Sequence, residues 1–249
     1  MFFSGKTYIK PAICKFLTPF DEAELEEKLN EKKGLRREKR LLRKSLSAED
    51  RKSFDEAICR FLPELTDKED CSLIAAYATD GTEPDLRQFL EKAVQNGKKV
   101  CLPRWISDSE YEMAYVDASF HLVPGKWNIP EPGKDAERVP AEILKDALFL
   151  VPGVAFDENC GRLGRGKGIY DRMLGSLRGT SIGVFYECQK CEQVPLEEHD
   201  RLLDLVVTEK RVYRNNNCAG RCTGKTNTLV SPADNYGKDG NESVKGEKI

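Results

Sequence analysis

Short apolar runs recur along the chain, and the segments between them repeat their apolar residues every three to four positions. The runs at 71–78 (CSLIAAYA), 98–103, 111–116, 147–156 (ALFLVPGVAF), 180–186 and 204–209 are bounded by turn residues and predict strands. Residues 21–45 predict a charged helix with acids early and bases late, the order the helix dipole favours, with Gly34 a weak point inside it. Ser47 to Asp50 has capping-box spacing and opens a second helix, in which Phe54, Ala57, Ile58, Phe61 and Leu62 share a face. A third helix, 84–96, begins on Pro84 and stops before Gly97. Residues 169–177 can form a fourth.

Near-continuous apolar strands alternating with helices imply a mostly parallel sheet covered on both faces. The expected fold class is therefore α/β, a single three-layer α/β/α domain over residues 21–213 with a charged N-terminal helix. Residues 1–20 read as a loose N-terminal extension. Residues 214–249, rich in Asn, Gly, Ser and Thr, read as a disordered tail. Ligands of such sheets bind beyond the carboxyl ends of the strands, which puts the loops after 78, 103 and 156 on one candidate face.

Composition narrows the classes. A net charge of −2 over 249 residues gives no field that favours nucleic acid or an anionic membrane. No run of apolar residues approaches the length of a membrane span. The nine cysteines are an odd number, and Cys59, Cys71 and Cys101 sit in apolar surroundings, which suits reduced thiols in the cytoplasm. The first twenty residues lack arginine and are broken by Pro11 and Pro19, so mitochondrial import is the lesser reading. Cys188, Cys191, Cys218 and Cys222 are too widely spaced for a usual zinc site. The tail string AGRCTGKT (219–226) has phosphate-loop spacing but neither a strand before it nor a helix after it.

One stretch carries candidate chemistry. In CGRLGRGKGIYDRML (160–174), Gly161 to Lys167 meet the spacing G-x-x-x-x-G-K-[ST], and Gly168 stands where the hydroxyl residue should be. Its glycines let backbone N–H groups approach an anion, and Arg162, Arg165 and Lys167 add positive charge. A predicted strand precedes the loop and a helix can follow, the context such a site needs; a basic surface loop is the plainer alternative. Asp171, three residues beyond Gly168, could hold magnesium in place of the missing hydroxyl.

Residues 151–174 resemble the signature of the 5-formyltetrahydrofolate cyclo-ligase (methenyltetrahydrofolate synthetase) family, roughly P-G-x-x-F-D-x-x-G-x-R-L-G-x-G-x-G-Y-Y-D, with Ile169 in place of the first tyrosine. KKGLR (32–36), TDGTEPD (79–85), CLPR (101–104), WNIPEP (127–132) and QVPLEEHDRLLDLVVTE (193–209) resemble further pieces in the family's order, so the likeness spans about residues 30–212.

The resemblance implies an enzyme that uses ATP and Mg²⁺ to convert 5-formyltetrahydrofolate to 5,10-methenyltetrahydrofolate. Such phosphoryl transfer rests on positioning and charge neutralisation. It implies ATP contacts from Lys32, Arg36 and Arg162 and from Gly164, Arg165, Gly166, Lys167, Gly168, Ile169 and Tyr170, with Arg165 and Lys167 as the catalytic cations. It implies folate contacts from Glu83, Trp127, Arg165 and Ile169, and metal contacts from Asp171 and Asp200. Alternatives stay open at several places: a solvated face for Lys32 and Arg36, Lys33 for Lys32, and Asp204 for Asp200. Glu83 could instead cap a helix, Trp127 could anchor a loop, and His199 could orient Asp200 or simply lie at the surface. The expected partners are the small molecules folate and ATP, acting on a monomer, with no nucleic acid and no membrane. Two rivals remain, a non-catalytic nucleotide- or folate-binding module of the same fold and a P-loop NTPase, which Gly168 disfavours.

Overall fold

The structure is a computed structural model that describes residues 19–67, 72–107, 110–197 and 200–215, with side chains from residue 26. The predicted N-terminal extension up to residue 18, the tail from residue 216, its cysteines Cys218 and Cys222, and His199 lie outside the described residues.

Two helices open the chain, α1 (Pro19–Ser45) and α2 (Ala48–Asp67). Ser47 caps α2 as its spacing predicts: its Oγ accepts the Asp50 N–H at 3.0 Å. There follow β1 (Leu73–Ala75), α3 (Arg87–Gln95), β2 (Lys99–Ser107) and β3 (Glu110–Tyr115). The hairpin of β4 (Leu122–Pro124) and β5 (Pro130–Pro132) precedes α4 (Ala141–Leu144) and β6 (Leu148–Val151). After β7 (Ala155–Phe156) and β8 (Arg162–Leu163), the chain closes with α5 (Ile169–Gly175), β9 (Ser181–Val184), β10 (Leu205–Val207) and β11 (Val212–Arg214).

Seven strands form the main sheet in the order β11-β10-β9-β6-β1-β2-β3. The five inner strands are parallel, and β3 and β11 are antiparallel edges. Alternate residues serve two separate cores. Ile74, Val100, Leu102, Leu148 and Leu150 pack with Ile58 and Leu62 of α2 and Phe89 and Leu90 of α3. Leu73, Ala75, Cys101, Phe149 and Val151 pack on the other face with Leu174 and Leu177. Burial on both faces is why these strands read as continuous apolar runs. The three-layer α/β architecture is the one the sequence predicts.

Two local expectations need correction, and one element was not foreseen. The run 147–156 is two strands, because Pro152 has no N–H to continue the ladder and Gly153 lets the chain turn. A Cβ on Gly153 would lie 2.7 Å from the Phe185 ring, so a larger residue would not fit there. The third helix starts at Arg87 rather than 84, where the Asp85 carboxylate accepts the Arg87 N–H at 2.9 Å. The β4–β5 hairpin was not legible, since its strands are three residues each and carry three prolines.

The order of the parallel strands fixes the geography. From β1 the chain moves to β2 on one side, and it then resumes at β6 on the other side of β1. Between β1 and β6 the loops at the carboxyl ends diverge and leave a crevice, the place where sheets of this kind bind ligands.

Candidate active site

Two loops flank that crevice, one leaving β1 at residue 76 and the other leaving β6 at residue 152. Buried polar groups hold the second loop. Asp157, 2% exposed, accepts N–H groups of Asn159 (3.0 Å), Gly161 (2.9 Å) and Val194 (2.8 Å). Gln189, fully buried, donates Nε2 to the carbonyls of Gly153 (2.9 Å) and Val154 (3.0 Å). Cys160 stands where the family pattern has its first loop glycine, and it adopts φ 64°, a left-handed conformation that costs a non-glycine residue on the order of 1 kcal/mol. The loop ends with Gly166 at φ 92° and Gly168 at φ 63°, immediately before α5.

Across this loop lies α1, and its inward face is basic. Lys32, Arg36, Lys39 and Arg43 recur at spacings of four, three and four, one stripe of a helix. Lys32, Lys39 and Arg43 are 6%, 8% and 4% exposed. Lys32 Nζ donates to Glu197 (2.6 Å) and Asp200 (3.3 Å). Arg36 Nε donates to the Gly164 carbonyl at 2.9 Å, which seats the helix on the glycine loop. Arg43 donates to the Gly153 carbonyl (3.2 Å) and the Thr82 hydroxyl (2.7 Å). Burying cations is costly unless they are paired, so their convergence here marks a site rather than ordinary packing. The solvated-face alternative for Lys32 and Arg36 therefore does not hold, and Lys33, exposed, is not the inward residue.

Glu83 faces this charge from the first loop. It is 7% exposed, lies 2.8 Å from Arg165 and 3.8 Å from Arg43, and does not cap α3, whose first N–H goes to the Asp85 carboxylate. Burial pushes the Glu83 carboxyl up, against the pull of Arg165. Arg165 also pairs with Asp80. Burial opposes the Arg165 charge, but Glu83 and Asp80 outweigh it and hold the guanidinium above its ordinary value. Burial would also raise Asp80, but the Thr82 hydroxyl and Arg165 hold it down at about 2.

Two adjoining cavities, about 130 and about 340 Å³, meet here and share Glu83, Tyr111, Pro152, Arg165, Ile169 and Tyr170. Tyr77, Trp105 and Met173 make the smaller one aromatic and apolar. Arg40, Arg162, Lys167, Gly164 and Gly168 make the larger one basic, and Asp171 lies at its side. Trp127 lies on the tip of the β4–β5 hairpin, 58% exposed at φ 56°, with Lys167 Nζ 4.5 Å from its ring centre. A groove of about 500 Å³ between α2 and α3 gathers no comparable set of buried charges.

The predicted residues Glu83, Trp127, Arg162, Gly164, Arg165, Lys167, Gly168, Ile169, Tyr170 and Asp171 thus line one site, and Arg36 closes over Gly164 and Gly166. Lys32 and Asp200 pair with each other outside the cavity lining, and Asp200 lies close enough to act on Arg36. Asp204 is not an alternative to it, because its carboxylate is buried and accepts the N–H and Oγ of Ser181 at 2.8 and 2.7 Å. Arg40, Arg43, Tyr77, Asp80, Trp105 and Tyr111 escaped the sequence reading. For Arg43, the basic period on α1 was the available signal.

The carboxylates present test the magnesium expectation. Asp171 pairs with Arg162, and Asp200 with Lys32. Among the described residues no three His, Cys, Asp or Glu side chains cluster as a metal cage. One or two carboxylates beside a basic, anion-binding cavity fit a magnesium ion that arrives with phosphates, not one held by protein alone.

Residues 28–209 match the 5-formyltetrahydrofolate cyclo-ligase family. The chain is 29% identical over 190 residues to the 5-formyltetrahydrofolate cyclo-ligase of Mus musculus, covering 72% of this chain and 93% of the relative. It is 32% identical over 145 residues to that of Escherichia coli, covering 56% and 79%. Among solved structures it resembles the Aquifex aeolicus 5,10-methenyltetrahydrofolate synthetase, with a TM-score of 0.65 and 32% identity, covering 80% of this chain and 97% of the other.

Proposed function

The chain belongs to the 5-formyltetrahydrofolate cyclo-ligase family, and from that premise we propose that it couples ATP cleavage to closure of the folate ring. The formyl oxygen of 5-formyltetrahydrofolate attacks the γ-phosphorus of ATP, and ADP leaves. N10 then attacks the activated formyl carbon and loses its proton, and inorganic phosphate departs with the former formyl oxygen. The products are 5,10-methenyltetrahydrofolate, ADP and phosphate.

One observation carries this reading: an aromatic, acid-bearing cavity and a basic, glycine-lined cavity share the wall that holds Glu83, Arg165 and Ile169. The first suits a flat heterocycle, whose ring amino and N–H groups would donate to the Glu83 carboxylate. Trp127 and Ile169 would pack against the rest of the folate. The second suits phosphates, held by the loop Gly164–Tyr170, by Arg162 and by Lys32 and Arg36 from α1. Arg165, on the shared wall, and Lys167, in the basic cavity, would offset charge that develops in transfer. Asp171, with Asp200 as a second carboxylate, would hold magnesium, which when bound supplies positive charge against the phosphates. No nucleophile–base pair is needed, because positioning and charge do the work.

The test is turnover. Purified protein with ATP, Mg²⁺ and 5-formyltetrahydrofolate is expected to develop the near-ultraviolet absorbance of the methenyl product. Lys167→Ala is expected to lower kcat by about 100-fold, as for loss of one charge-stabilising group. Unchanged turnover in that variant would sink the assignment of Lys167. Stabilisation of the wild type by ligands with no ADP released would make the protein a binding module instead.

A further inference from the structure

We propose that Arg43 is a positioning residue for this reaction: from α1 it keeps Glu83 an anion and ties together the two loops that carry the site. The inference rests on the reading above that Glu83 binds the folate ring.

Three contacts of one guanidinium converge on the crevice. Nη1 of Arg43 donates to the Gly153 carbonyl on the loop after β6 and lies 3.8 Å from Glu83 Oε1. Nη2 donates to the Thr82 hydroxyl on the loop after β1. Arg51 of α2 donates to the Arg43 carbonyl at 3.2 Å and to the Gly81 carbonyl at 2.9 Å, so the helix itself is fixed to the same loop. The Nε of Arg43 is buried and makes no hydrogen bond among the described residues. A guanidinium in that setting carries a cost that packing alone would not retain.

Glu83 is therefore shared by two arginines of unequal freedom. The Arg43 side chain is 5% exposed and anchored at both ends of its fork. The Arg165 side chain is 42% exposed, sits on the glycine loop and divides itself between Glu83 and Asp80. If Arg165 turns to the phosphates, Arg43 is the cation that stays with Glu83. The other groups facing Glu83 do not replace it. Asp80 on its own loop is an anion. Tyr77 at the end of β1 donates to the Pro84 carbonyl, and burial raises the hydroxyls of both Tyr77 and Tyr170 of α5. Tyr111 of β3 lines the same cavity. Lys126 lies over Trp105 and Trp127, and Glu131 accepts the Trp105 N–H. A buried carboxylate that loses its cation binds protons more readily, and a neutral Glu83 has lost half of its capacity to accept the ring's N–H groups.

The experiment measures the Kd of 5-formyltetrahydrofolate with a saturating non-hydrolysable ATP analogue present, so that Arg165 can turn to its phosphates, at about pH 6 and about pH 8.5 for full-length wild type, Arg43→Gln and Arg43→Lys. Each pH unit below a carboxyl pKa costs about tenfold in its ionised fraction. Wild type and Arg43→Lys are expected to change by less than about threefold between the two pH values. Arg43→Gln, which keeps polarity and loses charge, is expected to bind about tenfold or more weakly at the lower pH than at the higher. An Arg43→Gln profile parallel to wild type would overturn the proposal, whatever its melting temperature. So would the same acid-side loss in Arg43→Lys, and that variant decides the matter alone if Arg43→Gln does not fold. A wild type that binds no folate at either pH would instead contradict the function from which the inference starts.

Discussion

Glu83 and Asp85 stand two places apart in TDGTEPD, and the structure gives them different work. Asp85 accepts a backbone N–H at the start of α3, while Glu83 turns inward to two guanidiniums. From the sequence Glu83 could have been a capping acid, because its turn inward depends on where α1 and the glycine loop place their arginines. Ile169 was legible at once as a departure from the family's tyrosine, whereas the left-handed backbone at Cys160 appears only in three dimensions. A further carboxylate, Asp55 on α2, has a consequence for stability. It accepts the Tyr186 hydroxyl (2.7 Å) and the Asp85 N–H (3.1 Å) on one oxygen, yet burial raises it from 3.8 to about 6. A raised carboxyl contributes stability that is complete below the unfolded value, about pH 4, and is lost as pH rises through about 6. Asp55→Asn keeps that accepting oxygen and removes the charge. In urea unfolding it is expected to match wild type near pH 4 and to exceed it at pH 7 by on the order of 1 kcal/mol, a figure reduced for the half-exposed setting. Equal stability at both pH values would show that Asp55 is not strained by burial.

At the scale of elements, the least legible part was α1. Its composition, acids early and bases late with few apolar residues, reads as a solvated helix, and only the contacts reveal that Lys32, Lys39 and Arg43 point inward. The run 147–156 misled in the opposite way, since Pro152 and Gly153 interrupt a stretch that hydropathy alone treats as one strand. The glycine loop itself was legible in its residues but not in its support. Asp157 is that support, and three N–H groups converge on its carboxylate. Asp157→Ala leaves these donors, two of them buried, without an acceptor. It is expected to cost about 3 kcal/mol in chemical unfolding and to lower turnover without touching either ligand. A variant with wild-type stability would show that the loop holds its shape without this carboxylate.

For the whole molecule, strand order matters more than any one motif. Because β1 and β6 are neighbours whose connections leave in opposite directions, the loops after residues 75 and 151 face each other across one crevice. Residues 82 positions apart in the sequence, Glu83 and Arg165, thereby come within 2.8 Å. Periodicity made the layers and the mostly parallel sheet legible, and the resemblance supplied the order of the motifs. Neither could supply the register of α1 over the loops, which is a product of tertiary packing. The central claim, that this crevice joins phosphoryl transfer to ring closure, has a direct measurement. ADP and 5,10-methenyltetrahydrofolate are quantified together through one reaction course, with and without 5-formyltetrahydrofolate. The account predicts that the two products rise in equal amounts and that ADP stays at background when the folate is omitted; ADP accumulating without folate, or methenyl product without ADP, would contradict it.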